Sequence, residues 1–506
     1  MEVELKLRLP AERMAELEQH PALQARRATA PEQRHEVTTY FDTPDLALAG
    51  KGISLRVRRS GHRRIQTVKV REAGSAVAAN RAEWEWPINQ DAPDLGRVAA
   101  TPVGAIAGDL VGAGRLQPIF TTDIRRSVHN LRIDGTTTAE AALDVGEIAA
   151  GAETETVSEL ELELRAGTLA PVYRLALDLQ ATVPLTIAPE SKAERGFRLL
   201  LQQAPAASKA PSLELDCDAS ALQAFRVIVA TGLGHLLANQ PAAVAGDPEG
   251  VHQMRVAIRR LRTALVLFEP HLEPYTATRF ELELKRLGRG LGEARDWDVF
   301  CLETLPGAID DAAGAGWERL LRKTAETEQG AAHRRVEQEL AAPAFTSLVL
   351  GMAAWIEDGA IRPALVGDKC MTQRVKKIAP GLLDRVAGKV AKRGERIGRR
   401  SDEELHALRK SLKKLRYSVD DLSGLYGRKA VKRYLRGCKE LQQQLGKMND
   451  AAVAGMLAER LSMGDRVGLI PAVGAFAKWS RRRRDKALHH LSGAWTSFEK
   501  VSPFWT

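Results

Sequence analysis

Cysteine is scarce in this chain of 506 residues, with four in all, at positions 217, 301, 370 and 438. They lie far apart and form no CxxC pair, which argues against a disulfide framework and against a zinc ribbon. Such sparse use of cysteine is typical of a reducing cytoplasm. Aromatic residues make up only 5% of the chain, so the sequence offers few stacking platforms for single-stranded nucleic acid. These absences predict a cytoplasmic protein whose partner is not a nucleic acid.

A long apolar run is also missing. The longest stretch without a charged residue, about Val227 to Ala245, contains His, Asn, Gln, Gly and Pro. It predicts a buried helix better than a membrane span. The first ten residues alternate acidic, apolar and basic types, unlike a signal peptide. We therefore expect no membrane association.

Positive charge is abundant but unevenly spread. Residues 1–200 hold 25 Lys and Arg against 28 Asp and Glu, a net charge of −3, and the remainder holds 49 against 36, a net charge of +13. A chain of this length is too long for one hydrophobic core and predicts two or three domains. The charge asymmetry predicts an anionic partner for the second part of the chain.

The hydrophobic periodicity changes near residue 203. Before it, polar and apolar residues alternate with a period of two, as in antiparallel strands; beyond residue 215 the period is 3.6, as in amphipathic helices. Between them, QQAPAASKAP is typical of a linker. The sequence thus predicts an α+β multidomain protein: a β domain with a few helices over 1–202, a linker over 203–214 and an all-α domain over 215–506.

A basic passage occurs twice in the helical part. It reads HQMRVAIRRLR from His252 and HALRKSLKKLR from His406, an offset of 154 positions. The duplication predicts two related halves, about 215–365 and 370–506, which we expect to form two pseudo-symmetric four-helix bundles.

Each copy of the passage places a histidine and basic residues on one stripe of a helix, at i, i+3, i+7 and i+10. The stripes are His252, Arg255, Arg259 and Arg262, and His406, Arg409, Lys413 and Arg416, with Lys410 beside the second. One such stripe is typical of a solvated basic face, whereas two stripes related by a twofold axis would meet in one groove. Crowded like charges need a counterion, so a groove predicts a polyanionic ligand. With few acids and no cysteine nearby, the histidines favour anion contact or a structural hydrogen bond over metal binding.

Charged residues also fill alternate positions of nearly every predicted strand and therefore share one face. They are Glu2, Glu4, Lys6, Arg56, Arg58, Lys69, Glu83, Glu85, Arg126, Asp144, Glu159, Glu161 and Glu163. Two interpretations are open: a solvated sheet face, or the charged interior of a closed barrel covered by helices. The density of charge favours the barrel.

Carboxylates packed in such an interior need cations beside them. Mg²⁺ and Mn²⁺ take carboxylate oxygens, while Arg and Lys suit phosphate oxygens. Acids that hold metal on one wall and bases that hold phosphate on another would support metal-assisted attack on a phosphoanhydride.

The opening Glu2-x-Glu4-x-Lys6 resembles the ExExK motif of the CYTH family, the triphosphate tunnel metalloenzymes. YFDTPD, LRVR, the Lys69 strand, RAEWEW, ALDVGEI, SELELELR and SKAERGF follow in the order that the family has them. The resemblance spans residues 1 to about 202. It implies an eight-stranded antiparallel β tunnel with flanking helices, which hydrolyses or cyclises triphosphate compounds with Mg²⁺ or Mn²⁺.

The same resemblance implies roles for the charged residues. Glu2, Glu4 and Lys6 would be catalytic; Glu4, Glu161 and either Glu159 or Glu163 would bind metal; Lys6, Arg56, Arg58, Lys69, Arg126 and Lys192 would bind triphosphate; and Glu83, Glu85 and Asp144 would orient those bases. Since the three late glutamates share a face, the sequence leaves open which two bind metal. Arg125 is an alternative to Arg126.

The helical part, from about 215 to 506, resembles the CHAD domain, a duplicated module that often follows CYTH in bacterial proteins. The resemblance implies that the two basic stripes bind long-chain inorganic polyphosphate. We therefore expect an inorganic triphosphatase that converts tripolyphosphate to pyrophosphate and phosphate, in the cytoplasm, with polyphosphate granules as a candidate location. The alternatives are a granule scaffold without turnover, a nucleoside triphosphatase or adenylate cyclase in the same tunnel, and nucleic-acid binding by the basic part. The sequence gives no indication of oligomeric state.

Overall fold

The computed structural model describes residues 2–70, 77–104, 116–310, 318–358, 369–463 and 469–505. It divides into two compact units. The first comprises Met1–Pro205 with Ala341–Asp358, and the second comprises Ala206–Leu340 with Gly359–Thr506. Residues 203–216 carry neither helix nor strand.

An antiparallel sheet forms the frame of the first unit. Its described strands are β1 (Glu2–Arg8), β2 (Glu32–Asp42), β3 (Ile53–Ser60), β4 (Arg63–Val70), β5 (Ala79–Ile88), β6 (Gln117–Arg132), β7 (Thr138–Ala150), β8 (Glu153–Ala166) and β9 (Thr186–Ile187). The strand order is β5-β4-β3-β2-β6-β7-β8-β1-β9, and β1 also pairs with β5. This confirms the predicted antiparallel β domain; the strand beyond the expected eight is the two-residue β9, which pairs with the end of β1.

Helices complete the first unit and build the second. They are α1 (Met14–Glu18), α2 (Pro21–Gln24), α3 (Leu95–Ala99), α4 (Leu169–Gln180), α5 (Lys192–Leu200), α6 (Ala221–Ala238), α7 (Gln240–Val244), α8 (Pro248–Phe268), α9 (Pro274–Val299), α10 (Leu305–Asp310), α11 (Glu318–Ala341), α12 (Pro343–Glu357), α13 (Lys369–Thr372), α14 (Val375–Gly394), α15 (Asp402–Asp421), α16 (Arg428–Ser462) and α17 (Ile470–Glu499). A π-helical segment, Phe300–Thr304, connects α9 to α10. The described part of the second unit is all-helical, as predicted.

Alternation along the strands separates an apolar face from a charged face. Leu5 and Leu7 of β1 and Leu160 and Leu162 of β8 are fully buried, which anchors the sheet through apolar surface removed from water. Their neighbours in sequence point the other way, and residues directly opposite on paired strands share a face. The register pairs Lys6 with Glu161, so strand pairing itself brings acids and bases together.

Helix α5 is fixed against the charged side of the sheet by aromatic packing. A capping box between Ser191 and Glu194 starts the helix, as expected for a Ser with Glu three residues later. Phe197 meets the ring of Phe120 edge-on at 5.1 Å, and Tyr40 stacks on the same ring at 4.4 Å. These contacts place the first turn of α5 beside β7 and β8.

Gly196 allows this close approach, and its substitution gives a stability prediction. A Cβ atom there would lie 2.2 Å from the Phe120 ring, which is held between two other rings. Overpacking of this kind costs about 1–3 kcal/mol and outweighs the roughly 1 kcal/mol that Ala gains over Gly in a helix. In Gly196→Ala we expect peptides from β6 and α5 to lose protection by the difference between these two energies. Hydrogen exchange, followed by mass spectrometry, measures this loss. Gly135→Ala, where a Cβ meets nothing within 4 Å, should change protection by less than about 0.5 kcal/mol; equal effects would contradict the packing argument.

Helix α12 packs in the first unit although helices α6 to α11 precede it in sequence. The amide nitrogen of Gln180, in α4, donates to the carbonyl of Pro343 at 2.8 Å, and the Ser347 hydroxyl donates to the Gln180 side chain at 3.2 Å. The sequence shows that this segment is apolar but carries no local signal for the unit on which it packs.

In the second unit, the segment Ala221–Val244 is long and apolar enough to cross a membrane by length and composition, and 61% of its most apolar window is buried inside the protein. The predicted buried helix is present here as α6. The apolar period of 3.6 predicts helices over 280–290 and 429–445, and α9 and α16 extend beyond these ranges. Small residues such as Ala and Gly weaken the apolar periodicity in the extra turns, which explains the underestimate. No disulfide joins the four cysteines, all of which lie among the described residues.

Candidate functional site

A buried cluster of acids and bases lies where β1, β7, β8 and the first turn of α5 meet. Its members from the strands are Glu4, Lys6, Asp144, Glu159 and Glu161, all of them buried, and Lys192 enters from α5. Since buried charges are costly unless paired, the contacts within this cluster decide what it can do.

Three carboxylates converge in it. Ligand oxygens of Asp144, Glu159 and Glu161 lie within 4.8 Å of one another. Hard carboxylate oxygens at this spacing fit Mg²⁺ or Mn²⁺. The sequence placed Asp144 among the supporting acids; the structure adds it to the candidate ligands. Glu163, in contrast, is paired with Arg165 and lies outside this group of three.

Three cations surround the carboxylates. Lys6 Nζ lies 2.7 Å from Glu4 Oε1 and 2.6 Å from Glu161 Oε1. Arg126 donates to both oxygens of Asp144, at 2.7 and 2.6 Å, and to Glu161 Oε2 at 2.7 Å. Lys192 Nζ lies 2.7 Å from Asp144 Oδ2 and 3.0 Å from Glu161 Oε1, and it also pairs with Glu159.

These contacts keep Glu161 and Lys192 ionised. Burial alone would raise the pKa of Glu161, but the charges of Lys192, Lys6 and Arg126 outweigh it and hold that pKa well below its usual value. Burial would likewise lower the pKa of Lys192, but its acidic neighbours raise it well above the usual value. Glu161 and Lys192 therefore stay charged near neutral pH and present fixed charges to a ligand.

A second group of ion pairs occupies β3, β4 and β5. Lys69 Nζ lies 3.0 Å from Glu83 Oε2, Arg58 Nη2 lies 3.2 Å from Glu85 Oε1, and Arg56 Nη2 lies 3.6 Å from Glu83 Oε1. The structure thus brings every predicted base of these strands to the charged face beside a predicted supporting acid. The backbone of Glu2 is in β1, but its side chain lies outside the described residues.

The sequence analysis missed two members of this site. Glu36, on β2, is buried and lies 3.7 Å from Arg58 and 3.9 Å from Arg126, so it joins the two groups. Arg195 Nη1 lies 3.2 Å from Glu159 Oε2. The signals were present: Glu36 alternates with Arg34 along β2, and Arg195 is one helical turn after Lys192.

In the second unit, the two basic stripes meet. Arg259, on α8, donates to the Tyr417 hydroxyl on α15 at 3.1 Å, and Arg416 lies over the same ring at 4.6 Å. Burial, then repulsion from Arg259, Arg409 and Arg255, lowers the pKa of Lys413 to about 6. Because charges from both helices act on one ammonium group, Arg255, Arg259, Arg409 and Lys413 form a single cluster, which we name the basic groove.

The remaining members of the stripes lie at its edges. Arg262 pairs with Glu281 at 2.6 Å, His406 is exposed and its Nδ1 lies 3.1 Å from Asn449 Oδ1, and Lys410 is exposed. His252 is half-buried, and burial followed by the charge of Arg295 lowers its pKa. The sequence repeat therefore did not show which residues of the two stripes lie at the centre of the groove and which lie at its edges.

Comparison with known proteins finds one family in each part of the chain. The CYTH domain model matches residues 1–197 and the CHAD domain model matches residues 227–459. An inorganic triphosphatase of Haemophilus influenzae is 28% identical over 201 residues, which are 39% of this chain and 54% of that protein. The match therefore spans about half the length of that relative.

A solved structure is similar to the helical part. The CHAD domain of the plant Ricinus communis is 29% identical and superposes with a TM-score of 0.51, covering 58% of this chain and 97% of that domain. The chain therefore consists of a CYTH domain followed by a CHAD domain, with distant similarity to a bacterial inorganic triphosphatase.

Proposed function

We propose that this protein is a metal-dependent inorganic triphosphatase that converts tripolyphosphate to pyrophosphate and phosphate, and that its helical domain binds long-chain inorganic polyphosphate. The observation that carries the proposal is the buried group of three carboxylates, Asp144, Glu159 and Glu161, on the same charged face as a set of arginines and lysines. A hydrolase for an anionic chain needs both a cation site and bases that hold the chain.

We propose further that β1 to β8 enclose the charged face as a tunnel. The pairing of Val3 with Asn80, between β1 and β5, supports closure, because it gives each of these eight strands two partners. Enclosure would exclude bulk water and strengthen each ionic contact with the substrate.

In this proposal the protein's own groups bind and orient the phosphate chain. Asp144, Glu159 and Glu161 would hold the divalent metal, which when bound would offset charge on phosphoryl oxygens and polarise them. Arg56, Arg58 and Lys69 would exchange their acidic partners for phosphate oxygens, with Arg able to do so through two hydrogen bonds. The catalytic roles of Glu2, Glu4 and Lys6 stay predictions.

Phosphate release from tripolyphosphate, ATP and thiamine triphosphate, each with Mg²⁺ and with Mn²⁺, tests the reaction on the whole chain. We expect release to be fastest from tripolyphosphate and to be abolished by EDTA and by Glu4→Ala. Faster release from ATP, or formation of cyclic AMP, would favour nucleotide chemistry. No release with either metal would leave the granule scaffold as the better account.

The basic groove supports the second activity. Its four basic residues outnumber the two acids that act on them, Asp296 and Asp450, of which Asp450 lies 3.9 Å from Arg409. A polyanion would therefore offset the repulsion that remains among the cations. Polyphosphate carries about one charge per phosphate, and its affinity should fall steeply with salt, as for other polyanions. Location at polyphosphate granules in the cytoplasm would follow from this binding.

Lys413 makes that binding depend on pH. In the free protein its pKa is about 6, so it is mostly neutral at pH 7, whereas polyphosphate beside it would raise this pKa. Binding then takes up a proton between pH 6 and the raised pKa, and affinity must fall as pH rises through that window, by at most about tenfold per pH unit. Dissociation constants at pH 6, 7 and 8 and constant ionic strength should show this trend. Lys413→Met should remove it; an unchanged slope in this variant would contradict the assignment.

A further inference from the structure

Lys192 lies where the three carboxylates of the candidate metal centre converge. Its ammonium nitrogen is 2.7 Å from Asp144 Oδ2 and 3.0 Å from Glu161 Oε1, and it forms an ion pair with Glu159 as well. One side chain thus contacts every member of the group. Since Mg²⁺ binds carboxylate oxygens at about 2.0–2.1 Å, the ammonium group and a metal ion would compete for the same oxygens.

The charge of the cluster points the same way. The cations in contact with the three carboxylates are Lys6, Arg126, Lys192 and Arg195. Lys6 is shared with Glu4, Arg126 with Glu36 and Arg195 with Glu155, so the carboxylates are already paired. A divalent ion that entered while all four cations stayed in place would add two positive charges to a buried site whose carboxylates are already paired, which is costly. Triphosphate carries several negative charges and can accept the displaced ammonium group.

Among these cations, Lys192 is the one suited to move. Arg126 is held by two hydrogen bonds to Asp144, and Lys6 lies within β1 and is shared between Glu4 and Glu161. Lys192 is the first residue of α5, after the N-cap Ser191. Its flexible four-carbon stem can swing as a point charge without any change in the helix.

We propose that Lys192 acts as an internal counter-cation that occupies the carboxylate site until triphosphate draws it away, so that divalent metal and triphosphate bind cooperatively; this coupling rests on the proposed triphosphatase function. By linkage, each ligand then tightens the binding of the other by the same factor. Without substrate, Lys192 keeps the buried carboxylates paired. When triphosphate draws Lys192 away, the metal ion binds together with the substrate.

Mn²⁺ binding to the whole chain, measured by electron paramagnetic resonance, tests the proposal without turnover. Lys192→Met keeps the side-chain length and removes the charge; Lys51→Met removes the same charge at an exposed position. We expect Lys192→Met to bind Mn²⁺ at least about tenfold more tightly than wild type, since a unit charge is removed from the site, and Lys51→Met to match wild type. Equal Mn²⁺ affinity in wild type and a folded Lys192→Met would overturn the proposal.

A second measurement does not depend on the folding of that variant. Adding non-hydrolysable imidotriphosphate to wild type should tighten Mn²⁺ binding at least about tenfold, after subtraction of the Mn²⁺ that the anion holds in a protein-free titration. Lys192→Arg, which stays charged, should retain this coupling, and its absence in wild type would overturn the proposal. If wild type and both Lys192 variants bind no Mn²⁺ even with the anion, the proposed metal-dependent function fails instead.

Discussion

Replacing Glu161 with Gln should reduce the turnover of tripolyphosphate on the order of 10³-fold, the larger of the two effects expected here. Glu161 Oε1 accepts contacts from Lys6 and Lys192, while Oε2 accepts one from Arg126. The substitution removes one negative charge from the candidate metal centre and unbalances three cations together. Steady-state phosphate release at saturating Mg²⁺ and Mn²⁺ measures the loss.

Glu163→Gln is the matched control, because it makes the same chemical change two positions away on the same face of β8. Glu163 is paired with Arg165, whose guanidinium also contacts Glu140 at 2.8 Å, and it lies outside the group of three carboxylates. We expect this variant to retain activity within about threefold, since an exposed ion pair contributes little. If Glu163→Gln loses as much activity as Glu161→Gln, the metal site has been assigned to the wrong carboxylates.

A fold check separates a lost site from a lost structure. Removing one partner of a buried ion pair costs about 3–5 kcal/mol. In Glu161→Gln the amide oxygen still accepts from the cations on one side, although the amide nitrogen cannot accept on the other, so we expect a loss below that range. Far-UV circular dichroism at the assay temperature should therefore match wild type. If the variant is unfolded, its loss of activity reflects lost stability and not a lost site. In that case a tenfold excess of Mn²⁺ should restore neither the fold nor turnover.

The alternation of charges along the strands was enough to predict an antiparallel β domain with one charged face. The tunnel, the roles of its residues and the place of Lys192 among them came only from the resemblance to the CYTH family. Strand period fixes which side chains share a face, and β-pairing then brings Lys6 opposite Glu161 without further information. Alternation could not rank Glu159, Glu161 and Glu163, because it gives all three the same direction. The distinction comes from Arg165, whose pairing with Glu163 depends on side-chain placement at the end of the strand.

Long-range packing was the part that the sequence could not supply. Helix α12 is apolar whichever unit it joins, and its contact with Gln180 links residues far apart in the chain.

In the basic groove, the repeat predicted that two stripes exist, but not which cations meet. Arg262 had the same spacing as Arg259, yet it pairs with Glu281 because α9 brings an acid to that end of α8.

Neutralising the centre of the groove, in the double substitution Arg255→Gln with Lys413→Gln, should weaken polyphosphate binding by about 10²-fold or more. Hydrogen bonds to charged groups contribute about 1.5–3 kcal/mol each, and two are removed. The slope of log affinity against log salt should fall by about 1.5, since each lost phosphate contact removes roughly 0.7–0.9. Titration of long-chain polyphosphate at several salt concentrations gives both quantities. The exposed pair Arg319→Gln with Lys323→Gln on α11 is the control with the same change in charge, and should leave both values near wild type.

The same double substitution should leave the free protein as stable as wild type or more so, opposite in sign to its effect on binding. Burial and the charges of neighbouring arginines lower the pKa of Arg255 to about 10 and that of Lys413 to about 6, which shows that the folded protein disfavours charge at both positions. Arg255→Gln removes a charge that neighbouring arginines repel, and Lys413→Gln removes the cost of deprotonating that lysine when the protein folds. If these residues stabilised the fold, neutralising them would instead lower the melting temperature. Thermal unfolding without ligand therefore distinguishes a groove that binds an anion from a basic surface that stabilises the fold. A lower melting temperature together with unchanged polyphosphate affinity would favour the stabilising surface.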